Sequence, residues 1–156
     1  MRPAALSQAT KVLKQLTNGE IVDLLPLFYC NPFAFSGFDG AFEGAIEWLF
    51  TPGRGTMTWE GGIVRRIYTD GRLPPGDPDE TNRGSSVGPW EGQTLVVDTM
   101  GLNSAAAPIG IRGFLPHGRK ARVTEHIFLK SQDELEFDTA LVAPDLLTRP
   151  VKTSLL

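Results

Sequence analysis

The sequence predicts an all-β fold, a small antiparallel barrel of about eight strands with an N-terminal helical segment. Two observations lead to this prediction. From residue 44 onward, short apolar runs alternate with turn residues, and almost no helical spacing of apolar residues follows residue 20. Dipeptides such as Pro52-Gly53 and Asp70-Gly71 separate the runs, as turns separate strands. Many short strands joined by turns are typical of β-barrels and sandwiches.

The chain of 156 residues fits a single domain in two parts. Residues 1–43 form a helical and phenylalanine-rich N-terminal segment, and residues 44–156 form the predicted barrel. Residues 4–17 have helical spacing of apolar side chains, and Asn18-Gly19 provides the stop. The following stretch NPFAFSGFDGAFEG holds four phenylalanines among small and turn residues. It predicts a loop whose rings plug a core or pocket.

The barrel segment begins with a predicted hairpin, in which AIEWLF and GTMTWE flank the turn TPGR. The strand GIVRRIYT follows, and then RLPPGDPDETNRG, a polar and proline-rich loop long enough for a lid or a mouth loop. After the strand TLVVDT, the last clear hairpin joins KARVTEHIFLK to LEFDTALV through SQDE.

Composition argues against several classes of partner. The net charge is −3 with both signs mixed along the chain, so neither nucleic acid nor an anionic membrane is an expected partner. Cys30 is the only cysteine, which excludes an intrachain disulfide and a cysteine-based zinc site. The two histidines lack metal-ligand spacing, and no phosphate-binding glycine loop is present, so we expect neither metal nor cofactor.

The compartment stays open at this point. No apolar stretch reaches the ~20 residues of a membrane helix. The start MRPAALSQATKVLKQL is amphipathic, unlike a secretion signal. The protein is cytoplasmic if Met1 is the native start, and periplasmic or secreted if a signal peptide was removed. A homo-oligomer is equally open.

Alternation of side chains along the strands indicates which polar residues face inward. On the strand ARVTEHIFLK, Glu125 shares its face with Val123 and Ile127, so a carboxylate lies on the apolar face. On GIVRRIYT, Arg65 and Arg66 are adjacent, so one of the two must point inward. On TLVVDT, Asp98 aligns with Val96. We therefore expect an interior with Glu125, one arginine and Asp98, walled by the aromatic residues Trp48, Trp59 and Phe137.

This polar interior has two interpretations. In the first it is a structural Arg–Glu or Arg–Asp pair, because a buried charge needs a partner, and Asp98 only accepts hydrogen bonds at a strand end. In the second it is a polar cluster at the bottom of an aromatic pocket. A carboxylate there moves a proton and an arginine holds a ligand oxyanion.

The two interpretations lead to two hypotheses of function. One is a cofactor-independent acid/base enzyme (lyase, isomerase, hydratase or cyclase) acting on a small hydrophobic or aromatic molecule. Its candidate catalytic residues are Asp98, Glu125, Arg65, Tyr68 and the loop residue His117; its candidate substrate-binding residues are Trp48, Trp59, Phe50, Arg66 and Phe137. The other is a non-catalytic binding protein for a small apolar ligand. Fold alone does not choose between them.

Four stretches carry a resemblance to known proteins: WLFTPGRGTM, VRRIYTDGR, GPWEGQTLVVDTMGLN and, more weakly, VTEHIFL. In this order they resemble an uncharacterised bacterial family of small, often secreted β proteins, over roughly residues 45–150. The chain departs from the family pattern at Gln93, where an Asp is expected, and at His117-Gly118, where a His-Ser pair is expected. The resemblance implies a compact lipocalin-like architecture and no particular activity.

Overall fold

The fold is described by a computed structural model, which covers residues 2–19, 45–59, 63–103 and 120–155. The all-β prediction is confirmed. Eight strands form one continuous path, β1-β2-β3-β4-β6-β7-β8-β9, which curls as a half-barrel, and β5 pairs with β6. The elements are α1 Pro3–Thr17, β1 Ile46–Thr51, β2 Arg54–Trp59, β3 Ile63–Tyr68, β4 Ser85–Val87, β5 Trp90–Glu91, β6 Thr94–Met100, β7 Arg122–Leu129, β8 Leu135–Val142 and β9 Val151–Leu155.

Helix α1 ends where the sequence has its stop signal. The hydroxyl of Thr17 and the backbone N–H of Asn18 both donate to the carbonyl of Lys14, at 2.9 and 3.1 Å. Gly19 then takes φ of 72°, the left-handed conformation that closes many helices. At the other end of the helix, Arg2 donates from its backbone to Leu146 O and from Nε to Pro144 O, both at 2.7 Å. These bonds tie the start of the chain to the β8–β9 connection. The predicted phenylalanine-rich loop lies outside the described residues.

One pair of strands departs from the predicted antiparallel arrangement. β3 and β4 run parallel, with Ile67 opposite Ser86 and Tyr68 opposite Val87. A parallel pair needs a long crossover connection, and the proline-rich loop of residues 69–84 provides it. Thr81 anchors the far end of this loop: its N–H donates to Gly101 O at 2.9 Å and its carbonyl accepts from Asn103 N at 2.8 Å. The loop therefore returns the chain to the sheet in the direction of β3.

The buried side chains form two apolar clusters on the inner face of the sheet. The first consists of Leu102, Ala121, Val123, Leu141, Ala143 and Leu147. The second consists of Met57, Trp59, Ile67, Leu95, Val97 and Ile127, with Trp48, Leu135 and Phe137 packed against it. Along β7, Val123 belongs to the first cluster, Ile127 to the second, and Glu125 lies between them. Thr139 takes the same place on β8, between Phe137 and Leu141. A buried polar layer thus separates the two clusters.

Gly88 allows a close backbone contact next to β6. A Cβ atom at this position would lie 1.8 Å from the carbonyl oxygen of Val96 and 2.9 Å from the Cα of Val97. The N–H of Gly88 donates to Tyr68 O at 3.0 Å. Gly88 therefore lies close to both β3 and β6. The atoms that a Cβ would meet belong to the backbone, which cannot move aside as a flexible side chain can.

We predict that Gly88→Ala lowers the free energy of unfolding by ~3 kcal/mol or more, because the added methyl group overpacks against backbone. The matched control is Gly76→Ala in the exposed loop, where a Cβ would meet nothing within 4 Å; we expect a change of ~0.5 kcal/mol or less. Urea denaturation of the two variants measures both effects. Equal stability of the two variants would contradict the close approach at Gly88.

Candidate functional site

A buried ion pair lies at the centre of the polar layer. Arg65 on β3 and Glu125 on β7 are 4% and 0% exposed, and the guanidinium meets the carboxylate through two hydrogen bonds. Arg65 Nη1 donates to Glu125 Oε1 at 3.1 Å, and Nη2 donates to Oε2. Such a bidentate contact is the strongest interaction available to an arginine and a carboxylate. The structure therefore brings together two of the predicted catalytic residues.

Hydroxyl groups from the two intervening strands complete this pair. Arg65 Nε donates to Ser86 Oγ on β4 at 3.2 Å, and Nη2 also donates to Thr99 Oγ1 on β6 at 3.0 Å. The two hydroxyl oxygens lie 2.8 Å apart and share a hydrogen bond. Ser86 and Thr99 were not predicted. Thr99 has the same parity as Leu95 and Val97, so a correct choice of the inner face of β6 would have found it.

Arg65 is the inward residue of the arginine pair, and Arg66 is exposed. The alternation along β3 sets this arrangement, because Arg65 lies opposite the buried Met57 on β2 and Ile67 follows it on the same face. The expectation that one of the two adjacent arginines points inward agrees with this geometry.

The expectation that Asp98 shares the interior with Glu125 is wrong. On β6 the buried residues are Leu95, Val97 and Thr99, so Asp98 and Val96 lie on the outer face. Asp98 Oδ1 accepts hydrogen bonds from Arg122 Nε at 3.1 Å and from Thr124 Oγ1 at 2.7 Å, and Arg122 Nη2 donates to Oδ2. Partial burial raises the pKa of Asp98, but the bonds from Arg122 and Thr124 outweigh it and lower the pKa overall.

Aromatic and aliphatic side chains form an apolar pocket at one end of the inner face. Its volume is about 250 Å³, and its lining consists of Trp48, Phe50, Trp90, Gln93, Leu95, Ile127, Phe128, Leu129 and Leu135. The rings of Trp48 and Phe50 stack at 5.4 Å, and the ring of Trp90 lies 5.7 Å from that of Phe50. Phe50 and Trp90 are half-exposed, so the pocket is open to solvent at this rim.

Two of the predicted ligand-binding residues lie outside the lining of this pocket. Phe137 lies 6.5 Å from Trp48, ring centre to ring centre, and packs against the second apolar cluster. Trp59 is a member of that cluster and is 8% exposed, outside the pocket lining. Trp90 was not predicted, although an aromatic residue just ahead of the turn Gly92-Gln93 was a readable signal. The buried Nε1 of Trp48 has no hydrogen-bond partner among the described residues.

A second and more polar cavity, of about 750 Å³, opens between β3 and the crossover loop. Tyr68 and Arg66 both line it, and Arg65 and Ser86 border it. The guanidinium of Arg72 covers the ring of Tyr68 at 3.8 Å, a cation–π contact. The crossover loop thus forms a wall of this cavity, and its role as a lid or a mouth loop stays a prediction. Tyr68 and Arg66 lie in this cavity and not in the aromatic pocket.

Three polar residues of neighbouring strands align on the outer face, with His126 opposite Asp138 and Asp138 opposite Ser154. The residue types are those of a serine hydrolase, but their order differs. The hydroxyl of Ser154 donates to Asp138, which lies between the serine and the histidine. A nucleophilic serine needs the histidine next to it, to accept its proton. This alignment therefore lacks the arrangement for acyl transfer.

The remaining sequence predictions bear on other positions. His117 lies outside the described residues. Within the described ranges, no three His, Cys, Asp or Glu side chains are close enough to hold a metal ion. In the same part of the chain, no helix is long and apolar enough to cross a membrane.

Comparison with known proteins returned no match to a protein-family model, to a curated protein or to a solved structure. The resemblance carried by VRRIYTDGR and WEGQTLVVDT therefore stays a prediction.

We predict that Arg65→Ala lowers the free energy of unfolding by ~3–5 kcal/mol, because it leaves the carboxylate of Glu125 buried without its charged partner. Arg66→Ala, one residue along the same strand, is the matched control with an expected change of ~0.5 kcal/mol or less. The double variant Arg65→Met/Glu125→Leu removes both charges and should regain most of the loss. Urea denaturation tests all three, and small, equal effects at positions 65 and 66 would refute the buried pair.

The lowered pKa of Asp98 predicts how its contribution to stability depends on pH. Its pKa in the folded protein is lowered below the ordinary value of 3.8, so its contribution to stability is present above that value and is lost as pH falls through the folded pKa. The contribution is about 0–1 kcal/mol, because Arg122 is half-exposed. We expect Asp98→Asn to be less stable than the wild type at pH 7, with a difference that shrinks as pH falls below 3.8 and disappears below the folded pKa.

Thermal unfolding of Asp98→Asn between pH 2 and pH 7 measures this difference. Asp133→Asn, at the exposed turn between β7 and β8, is the control for the loss of one carboxylate. A difference between wild type and Asp98→Asn that grows as pH falls would show that the sign of the pKa shift is wrong.

Proposed function

We propose that this protein binds a small apolar or aromatic molecule in the pocket lined by Trp48, Phe50 and Trp90. The observation that carries the proposal is the pocket itself, an open apolar concavity with stacked rings on one wall. An apolar cavity of about 150 Å³ is large enough for benzene. A volume of about 250 Å³ therefore suits a ligand of one or two rings.

The contacts of Glu125 favour binding over acid/base catalysis. Both carboxylate oxygens accept hydrogen bonds from Arg65, and the pair is closed off by hydroxyl groups of β4 and β6. A general base needs a lone pair within reach of a substrate proton. Glu125 uses its oxygens to neutralise a buried arginine instead. In this proposal the polar layer holds the sheet together and leaves ligand binding to the aromatic pocket.

A cofactor-independent lyase or isomerase is the second candidate, and one observation favours it. Arg65 lines the 750 Å³ cavity and is hydrogen-bonded to Glu125. The guanidinium thus lies between the carboxylate and a space that can admit a substrate. Tyr68 lines the same space and offers a phenolic proton. If this candidate is correct, Glu125→Gln abolishes turnover of a confirmed substrate even when the rate is divided by the folded fraction of the variant, measured by urea denaturation.

The three tryptophans of the chain allow a direct test of the proposed pocket. Labelling with 5-fluorotryptophan gives one ¹⁹F signal each for Trp48, Trp59 and Trp90. We expect naphthalene or a substituted benzene to shift the signals of Trp48 and Trp90, which line the pocket, more than that of the buried Trp59. Shifts of equal size at all three, or no shift for any compound of a broad panel, would contradict binding in this pocket.

A matched pair of variants tests the location of the ligand. Phe50→Ala removes a half-exposed wall of the pocket and should weaken binding about tenfold or more without unfolding the protein. Leu73→Ala removes a side chain that is 86% exposed and lies outside the pocket, so ligand affinity should not change. Equal affinities of the two variants would place the ligand elsewhere.

A further inference from the structure

The cavity between β3 and the crossover loop contains an arginine with no acidic partner among the described residues. Arg83 donates from Nη1 to the carbonyl of Val64 at 3.4 Å, and its buried Nε has no hydrogen-bond partner among the described residues. Burial lowers the pKa of Arg83, since the charged form loses part of its hydration. A bound oxyanion would supply both the missing charge and the missing acceptor.

Charges of both signs line this cavity. Arg66 belongs to β3, and the side chain of Arg83, at the end of the loop, reaches β3 at the carbonyl of Val64. Asp77 and Asp79 lie earlier in the loop. None of these four side chains forms a salt bridge within the part of the chain that is described. Arg65 also borders the cavity, but Glu125 neutralises it. The charges of the four side chains sum to zero, with the two cations next to β3 and the two carboxylates on the loop.

We propose that this cavity binds a small zwitterion of the size of an amino acid or dipeptide, with its carboxylate on Arg83 and Arg66 and its ammonium group facing Asp77 and Asp79. A simple anion would be repelled by the two aspartates, and a simple cation would be repelled by the two arginines. Only a ligand with both charges satisfies both sides. The volume of about 750 Å³ exceeds what an inorganic ion fills, which agrees with an organic ligand.

The walls of this site are held in place without a ligand. At the start of the loop, Arg72 bonds to the carboxylate of Asp70, with Nε 2.8 Å from Oδ1, and covers Tyr68. At the end of the loop, Thr81 is hydrogen-bonded to the segment around Gly101, and Pro78 packs so closely on Gly101 that a Cβ there would lie 2.9 Å away. Binding therefore does not have to order the loop first, which removes part of the entropic cost of association.

The test is a titration of the ¹⁵N-labelled full chain with L-alanyl-L-alanine, whose small side chains have little reason to enter the aromatic pocket. We expect the Arg83 Nε–H signal and the backbone signals of Gly84 and Ser85 to shift. N-acetyl-alanyl-alanine lacks the ammonium group and alanyl-alanine methyl ester lacks the carboxylate; each should bind about tenfold more weakly or worse. No shift at about 10 mM dipeptide, or equal binding of either derivative, would overturn the proposal.

Variants locate the site and guard against a folding defect. Arg83→Gln should lose about tenfold or more in dipeptide affinity, whereas Arg122→Gln, which removes an arginine of the outer face, should lose none. Asp77 is exposed and should tolerate Asn. Asp77→Asn should lower the affinity for the dipeptide and leave the affinity for the N-acetyl derivative unchanged. Equal losses in Arg83→Gln and Arg122→Gln, or an unchanged dipeptide affinity in Asp77→Asn, would overturn the proposal.

Discussion

The buried pair of Arg65 and Glu125 is the interaction on which the rest of the sheet depends. The two residues lie on β3 and β7, three strand spacings apart along the path β3-β4-β6-β7. In a flat sheet these strands would be about 14 Å apart, farther than two upright side chains reach. The pair closes only because the sheet curls, so the curl and the ion pair require each other. Ser86 and Thr99 on the strands between supply the remaining acceptors.

The same pair restricts the register of the strands more than apolar contacts do. A shift by one residue moves every side chain of a strand to the other face, so a slipped β7 would place Glu125 in solvent and leave Arg65 buried alone. An apolar cluster tolerates exchange among similar side chains, but a buried charge does not tolerate the loss of its partner. The polar layer between the two apolar clusters therefore selects one arrangement of the four strands, whatever its net contribution to stability.

The alternation of side chains allowed some of these features to be predicted from sequence. Glu125 was recognisable because its neighbours Val123 and Ile127 leave no doubt about the inner face of β7. The face of β6 was misjudged because TLVV is apolar at consecutive positions, so both parities are plausible there, and Asp98 was placed inside. The parallel pairing of β3 with β4 depends on the course of a proline-rich loop, which has no periodic pattern. Arg83 lies in that loop and was missed for the same reason.

The neutralisation of Arg65 also sets the charge that each of the two cavities carries. With its charge cancelled by Glu125, the polar layer presents no net charge to the aromatic pocket, which can stay apolar without a desolvation cost. The same cancellation leaves Arg66 and Arg83 as the unpaired cations of the other cavity, within the described chain. If Glu125 were absent, Arg65 would add a third positive charge there, and a simple anion would become the better ligand. Glu125 thus influences, at a distance, which charge the cavity between β3 and the crossover loop prefers. Among the described residues its carboxylate is hydrogen-bonded to Arg65, and it lines neither this cavity nor the aromatic pocket.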